Sequence, residues 1–250
     1  YPGVRQVKYD PQDVQVHSFL PDTPVCREEL AQYYQSVSRI DQGLGRLLGI
    51  LKETGTYDNT LIVYTSDHGI AFPGGKTTVY EGGMRVPLVV RAPDAARRGI
   101  RSAAMVSLVD LTPTLLDYAE GVPDDYKFHG RSFRQAVDRT EAKGWDEENA
   151  SHTFHEITMY YPMRVVRGRR YKLIWNIAHG LPYPFASDLW AAPTWQDVYQ
   201  RGPEALYGKR TVQAYIHRPP FELYDLQEDP HEVNNLADDP NQSETIAALR

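Results

Sequence analysis

Cysteine is almost missing from this chain: Cys26 is the only one in 250 residues. An internal disulfide is therefore excluded, and the redox compartment stays open. Long apolar runs are missing too, and nothing approaches the roughly 20 residues that a membrane-spanning helix needs. There is no basic tract. Lys and Arg number 27 against 33 Asp and Glu, a formal net charge of -6, which argues against a general nucleic-acid binder. An anionic substrate is not excluded, because a few cations in a pocket outweigh a distant negative surface. No repeat at solenoid period occurs. The chain opens on Tyr1, without methionine or signal peptide. It reads as a piece of a longer protein, so its compartment is left unassigned. An oligomer is compatible with this composition.

What is present is the patterning of an ordinary globular chain, long enough for one large domain or two modest ones. Residues 1–22 form a proline-marked lead-in. Thr23-Pro24 has the form of an N-cap and first helical position. From there Leu30, Tyr33, Tyr34, Val37, Ile40, Leu44, Leu47, Leu48 and Leu51 recur at helical spacing and predict one apolar stripe, with Gly55 at its C-terminal end. A second threonine-proline start, Thr112-Pro113, predicts a helix through Leu115, Leu116 and Tyr118. Residues 121–150 are charged, poor in aliphatics and read as a connection. From Thr153 to Ile177 the pattern turns to strands: Ile157 to Tyr160, Met163 to Val166, a turn at Gly168, then Tyr171 to Trp175. Residues 178–220 read as ordered loops with short helices, Phe221 to Asp225 as a last strand, and Ser243 onward as a helix. Asn149-Ala150-Ser151 and Asn241-Gln242-Ser243 fit the glycosylation pattern, which often arises by chance.

The densest signal lies between Thr60 and Pro93. Leu61 to Tyr64 is a short apolar, β-branched run of the kind expected for a parallel strand covered on both faces. It stops at Thr65-Ser66-Asp67-His68-Gly69, which places Asp67 at the carboxyl end of a strand, where ligands sit in open α/β sheets. A glycine-rich loop with Lys76 follows, then Glu81-Gly82-Gly83-Met84-Arg85 and a second strand from Val86.

These segments, together with Asp41 to Gly45, Asp110 to Leu116, Glu222 to Leu226, Asp229-Pro230 and Asn235 to Ala237, resemble the sulfatase family of the alkaline-phosphatase-like superfamily. Tyr9 to Pro24, Phe154 to Val166 and Leu181 to Asp197 look most like its sulfamidase branch. The resemblance implies an α/β fold. Residues 1–120 would be the C-terminal part of the catalytic sheet with its flanking helices. Residues 121–250 would be a smaller α+β subdomain with antiparallel strands. The family's nucleophile, a formylglycine made from Cys-x-Pro-x-Arg or Ser-x-Pro-x-Arg, does not match Cys26, which is followed by Arg27-Glu28-Glu29. It is expected upstream of this chain, together with further acidic metal ligands, and the chain alone is expected to be inactive.

The resemblance implies a role for each candidate residue. Asp67 would ligate one divalent metal, calcium in the first instance, since hard cations take carboxylate oxygens; the alternative is an aspartate capping a turn. His68 stands where many sulfatases carry asparagine. It would be a second metal ligand, or a hydrogen-bond donor to sulfate, and imidazole suits zinc or manganese better than calcium. Lys76 would bind the substrate's sulfate as a compact point charge, although the sulfamidase branch tends to have arginine there. His155 and Glu156 would contact the sugar, a surface glutamate being the alternative. Glu81 and Arg85 are assigned to structure, as charged support behind the metal loop. The aromatics of 181–199 suit packing more than a sugar wall. In the intact protein the expected reaction is hydrolysis of a sulfate ester or sulfamate on a sulfated glycan, N-sulfoglucosamine of heparan sulfate or heparin being preferred. Two alternatives remain: a phosphodiesterase or phosphonate hydrolase of the same superfamily, and a non-catalytic sulfoglycan-binding relative.

Overall fold

The computed structural model describes residues 3–123, 125–156 and 159–250. Ile157 and Thr158, read above as the start of a strand, lie outside the described residues. Helix α1 spans Pro24–Glu53, and Thr23 caps it in extended conformation, its hydroxyl accepting from the Cys26 amide at 3.3 Å. Gly55 follows the helix at φ +69° and donates its N–H to Lys52 O, a conformation that glycine adopts without a Cβ penalty. The apolar stripe of α1 is only partly covered. Leu30 is fully buried, but Val37, Ile40, Leu47 and Ile50 are 41 to 53% exposed. Periodicity reports which face is apolar; it does not supply the element that covers it.

Strand β1 (Ile62–Thr65), the short helix α2 (Glu81–Met84) and β2 (Leu88–Arg91) come next. The expected parallel arrangement is not what β1 and β2 form. They pair antiparallel, Ile62 opposite Arg91 and Thr65 opposite Leu88, and every residue of β1 is half-buried. A run of β-branched residues specifies a strand but not its direction. Here the loop and α2 return the chain beside β1, not across a long helical crossover. Helix α3 (Leu111–Tyr118) also starts differently from the expectation, because Thr112 is not its cap. A 3₁₀ turn at Leu108–Asp110 leads in, closed by reciprocal bonds between Ser107 and Asp110.

The second half carries strands β3 (Glu148–His155), β4 (Met159–Arg167) and β5 (Tyr171–Asn176). Helices α4 (Ser187–Ala191) and α5 (Pro193–Tyr199) follow, then the small pair β6 (Leu206–Tyr207) and β7 (Arg210–Thr211). Helix α6 (Val212–Ile216), strand β8 (Phe221–Asp225) and helix α7 (Ser243–Leu249) complete the chain. The main sheet is antiparallel in the order β3-β4-β5-β8. Strand β3 begins at Glu148, inside the stretch read as a connection, because an edge strand half-open to solvent tolerates polar residues. The inner face of the sheet (Met159, Tyr161, Met163, Val165, Ile174, Tyr224) packs on an aromatic cluster of Tyr183, Trp195, Tyr207 and Tyr215, all at most 3% exposed. Among the described residues no helix is long and apolar enough to cross a membrane.

Candidate active site

The loop after β1 is shaped by glycine contacts. Gly69 donates to Gly83 O at 2.9 Å, and a Cβ on Gly69 would lie 1.8 Å from Gly82 O. Ile70 O accepts from both Phe72 and Lys76 amides at 2.8 Å, which closes the loop on itself. A Cβ on Gly75 would meet Ile70 O at 2.2 Å, and one on Gly83 would meet Gly75 O at 2.3 Å. Backbone therefore lies directly on backbone where this loop meets α2, and only glycine fits.

At the start of the loop, Asp67 and His68 sit side by side. The Asp67 carboxylate is 87% exposed, with His68 Nε2 3.7 Å from its Oδ1. His68 Nδ1 lies 2.8 Å from Gly69 O. A carbonyl can only accept, so Nδ1 is the donor in this bond and Nε2 is the ring nitrogen on the Asp67 side. A backbone carbonyl behind the imidazole is the arrangement found behind metal-ligating histidines. One carboxylate and one imidazole fit the edge of a metal site but do not complete one. Among the described residues no group of three or more His, Cys, Asp or Glu could hold a metal. His68 also lines a cavity of about 500 Å³ with His17, Tyr33, Glu81, Arg85 and His231.

Lys76 closes the loop, and its side chain is only 18% exposed. Its ammonium donates to Asp188 Oδ2 at 2.7 Å, across 112 residues of sequence. Asp188 is the second residue of α4, and Ser187 just before it is held by Glu156. Ser187 Oγ donates to Glu156 Oε1 at 3.1 Å and Ser187 N to Oε2 at 3.2 Å. Glu156 adopts φ +57°, outside the usual range for a residue with a Cβ, and its Oε1 lies 3.9 Å from His155 Nε2. The start of α4 thus brings Lys76, Glu156 and His155 into one cluster, with Asp67 and His68 at the opposite end of the glycine loop. Burial pushes the Asp188 carboxyl up, but the Lys76 bond outweighs it and holds it below the usual range. Ser187 and Asp188 are absent from the sequence-derived site. Their only sequence signal is their place within Leu181 to Asp197.

Support behind the loop comes from the main sheet. Glu81, at the start of α2, accepts from Arg167 Nη2 at 3.0 Å and from the fully buried Lys172 at 3.3 Å. Glu232 Oε2 accepts from the Glu81 amide, and its Oε1 lies 2.8 Å from Lys172 Nζ. Burial pushes the Glu81 carboxyl up, yet Arg167 and Lys172 hold it below the usual range, whereas at Glu232 burial prevails and raises it. Glu81 thus carries the ion pairs expected of a supporting residue, and both it and Arg85 line the cavity beside His68.

The family model described as Sulfatase matches residues 1–122, and that described as N-sulphoglucosamine sulphohydrolase, C-terminal, matches residues 71–187. Human N-sulphoglucosamine sulphohydrolase is 40% identical over 97% of this chain and 50% of its own length. The chain belongs to the sulfatase family. An ulvan-active sulfatase from Formosa agariphila is 27% identical over 93% of the chain and 38% of its own length. Among solved structures, one in complex with its substrate D-glucosamine-2-N,6-O-disulfate superposes with a TM-score of 0.64. It is 25% identical and is matched over 92% of this chain and 41% of its own length. The phosphonate monoester hydrolase of Agrobacterium radiobacter shares the fold, with a TM-score of 0.60 at 24% identity over 87% and 39% of the two chains. The chain thus spans about half the length of the human sulfatase and less of the others.

Cys26, which lacks the Pro and Arg that follow the family's nucleophile, is also closed off from any substrate. It is fully buried at the start of α1, and burial pushes its thiol up to about 11. The aromatics of 181–199 divide. Tyr183 and Trp195 are core, and Phe185 packs among Trp195 and Tyr215, as expected; Trp190 is 41% exposed.

Proposed function

We propose that the protein of which this chain forms part hydrolyses sulfate from a sulfated sugar, with N-sulfoglucosamine at the end of a heparan-type glycan as the preferred substrate. The observation that carries this reading is the largely enclosed Lys76 side chain, fixed in a glycine-locked loop with its ammonium on the Asp188 carboxylate. A rigid cation of this kind stabilises charge on sulfate oxygens without reorganising during the reaction. Glu156 and His155 accept from and donate to sugar hydroxyls beside it. Asp67, with His68 Nε2, would hold one divalent cation, calcium by family resemblance, on the far side of the loop. When bound, that cation neutralises sulfate charge as a Lewis acid, and the family's formylglycine supplies the nucleophile. The roles follow a division near residue 120. Residues 1–120 supply the metal pair and Lys76; residues 121–250 supply Glu156, His155 and the segment that pairs with Lys76. The name of the human relative and the substrate in the matched complex support the N-sulfated sugar.

The test is sulfate release from glucosamine N-sulfate by the full-length protein and its Lys76→Ala variant. The expected loss in kcat/KM is about 10² or more, the scale of one preorganised charge partner. Unchanged kinetics would refute the role of Lys76. Cleavage of a phosphonate ester in preference to any sulfated sugar would move the protein to phosphorus chemistry. Sugar binding without sulfate release would make it a binding relative.

A further inference from the structure

Lys76 already has an anion. Its partner Asp188 is a residue to which sequence reasoning gave no role, and the pair is asymmetric: the lysine is 18% exposed and the aspartate 52%. The cation is therefore the more enclosed partner and the carboxylate the more open one. The segment carrying Asp188 is fixed from both sides. Tyr183 OH donates to the carbonyl of Thr77, next to Lys76, at 2.8 Å, and Ser187 is held by both oxygens of Glu156. Ala186 and Leu189, flanking the pair, are at most 3% exposed. Asp188 is thus a placed carboxylate, matched one to one with the Lys76 ammonium.

That balance distinguishes the two bonds a sulfatase can cut. Cleaving a sulfamate with water breaks S–N: R–NH–SO₃⁻ + H₂O gives R–NH₃⁺ + SO₄²⁻. The nitrogen keeps the bonding pair, and the leaving group ends as a cation. Cleaving a sulfate ester breaks S–O and leaves a neutral alcohol. Carboxylates beside the departing atom favour the first outcome, because they attract the positive charge that develops on nitrogen; they offer an alcohol only a hydrogen bond.

Resting on the sulfatase reading above, we infer that Asp188 is a specificity-determining residue. It is the resting counterion of Lys76, is displaced by the substrate's sulfuryl group, and then pairs with the amine side of the scissile bond, so that the site favours N-sulfate over O-sulfate. A sulfuryl oxygen takes over the Lys76 ammonium, and the freed carboxylate accepts a hydrogen bond from the sulfamate N–H.

The test uses the full-length protein with glucosamine N-sulfate and glucosamine 6-O-sulfate as paired substrates. Wild type is expected to prefer the N-sulfate. Asp188→Asn, of nearly the same shape, is expected to lower kcat/KM on the N-sulfate by about tenfold or more, and to leave the O-sulfate unchanged or improved, because Lys76 no longer has a competing anion. Asp188→Glu is expected to recover part of the preference. A thermal midpoint measured on each variant separates a charge effect from damage to the fold. Equal losses on both substrates, or an unchanged ratio, overturn the inference while leaving the sulfatase reading intact if Lys76→Ala is still impaired. If Asp188→Asn does not fold, Asp188→Ser is read on the same two substrates, and an unchanged ratio there overturns the inference too. Wild type that cleaves neither substrate removes the sulfatase reading and this inference with it.

Discussion

At the scale of single residues, the site depends on positions where a hydrogen is all that fits. Gly69→Ala would put a methyl 1.8 Å from the Gly82 carbonyl, and backbone cannot rotate away as a side chain can. The expected cost is roughly 1–3 kcal/mol, the scale of an overpacked interior, read as a lower thermal midpoint, with metal and Lys76 sites disturbed together. Asp67→Ala makes a contrasting prediction: the fold should keep its midpoint, since the carboxylate is 87% exposed, while the full-length protein loses tightly bound divalent metal by elemental analysis. Full metal occupancy in that variant would exclude Asp67 as a ligand. The sequence made Asp67, His68 and Lys76 visible because they lie on one continuous, glycine-marked loop. Asp188 was not visible, because its significance comes from a contact made across 112 residues that no local pattern encodes.

Elements show the same division between local and distant information. The start of α1 was legible: proline and threonine act within one turn, and Thr23→Ala should cost about 1 kcal/mol by denaturant titration. The turn at Gly168 and strand β8 were legible for the same reason. The direction of β1 against β2, and the reach of β3 back to Glu148, depend on which strand lies alongside, which composition does not state. The tie between the main sheet and α2 depends on tertiary placement too. Lys172 is fully buried between Glu81 and Glu232, so Lys172→Met leaves two carboxylates without their shared cation. A loss of about 3–5 kcal/mol is expected, as for other buried pairs broken from one side. A midpoint unchanged from wild type would mean that Arg167 alone holds Glu81.

Across the whole molecule, buried charge makes stability depend on pH. Burial pushes Glu222 up, but Arg218 and Arg210 outweigh it, and its carboxyl, like that of Glu81, is held below the usual range. Both therefore bind fewer protons folded than unfolded. Their contribution is complete above about pH 4.5 and is lost as pH falls through the lower folded values. Glu232 has the opposite sign: its raised carboxyl is unfavourable at neutral pH and is relieved on acidification. Asp188 and Asp225 are also held low and Glu148 is raised, so among the described residues lowered carboxyls outnumber raised ones; a net loss of stability in acid is expected, measured by denaturant titration between pH 7 and 3, with Glu222→Gln flattening that slope. The exposed stripe of α1 adds a prediction of a different kind. With Val37, Ile40, Leu47 and Ile50 open to water, this chain expressed on its own should self-associate, and Ile40→Glu with Leu47→Glu should shift it toward monomer in light scattering.

The solitary thiol has a use that its chemistry at rest conceals. Cys26 is sealed under the first turn of α1, beside Thr194 of α5, so a thiol-reactive dye can reach it only when the two helices separate. The labelling rate then works as a clock for that opening event, with no second cysteine to blur the count. Adding sulfated sugar to the full-length protein, with any other free cysteine outside this chain replaced, and watching the clock slow would report how far tightening at Lys76 and Asp188 spreads through the α4–α5 segment into the first helix.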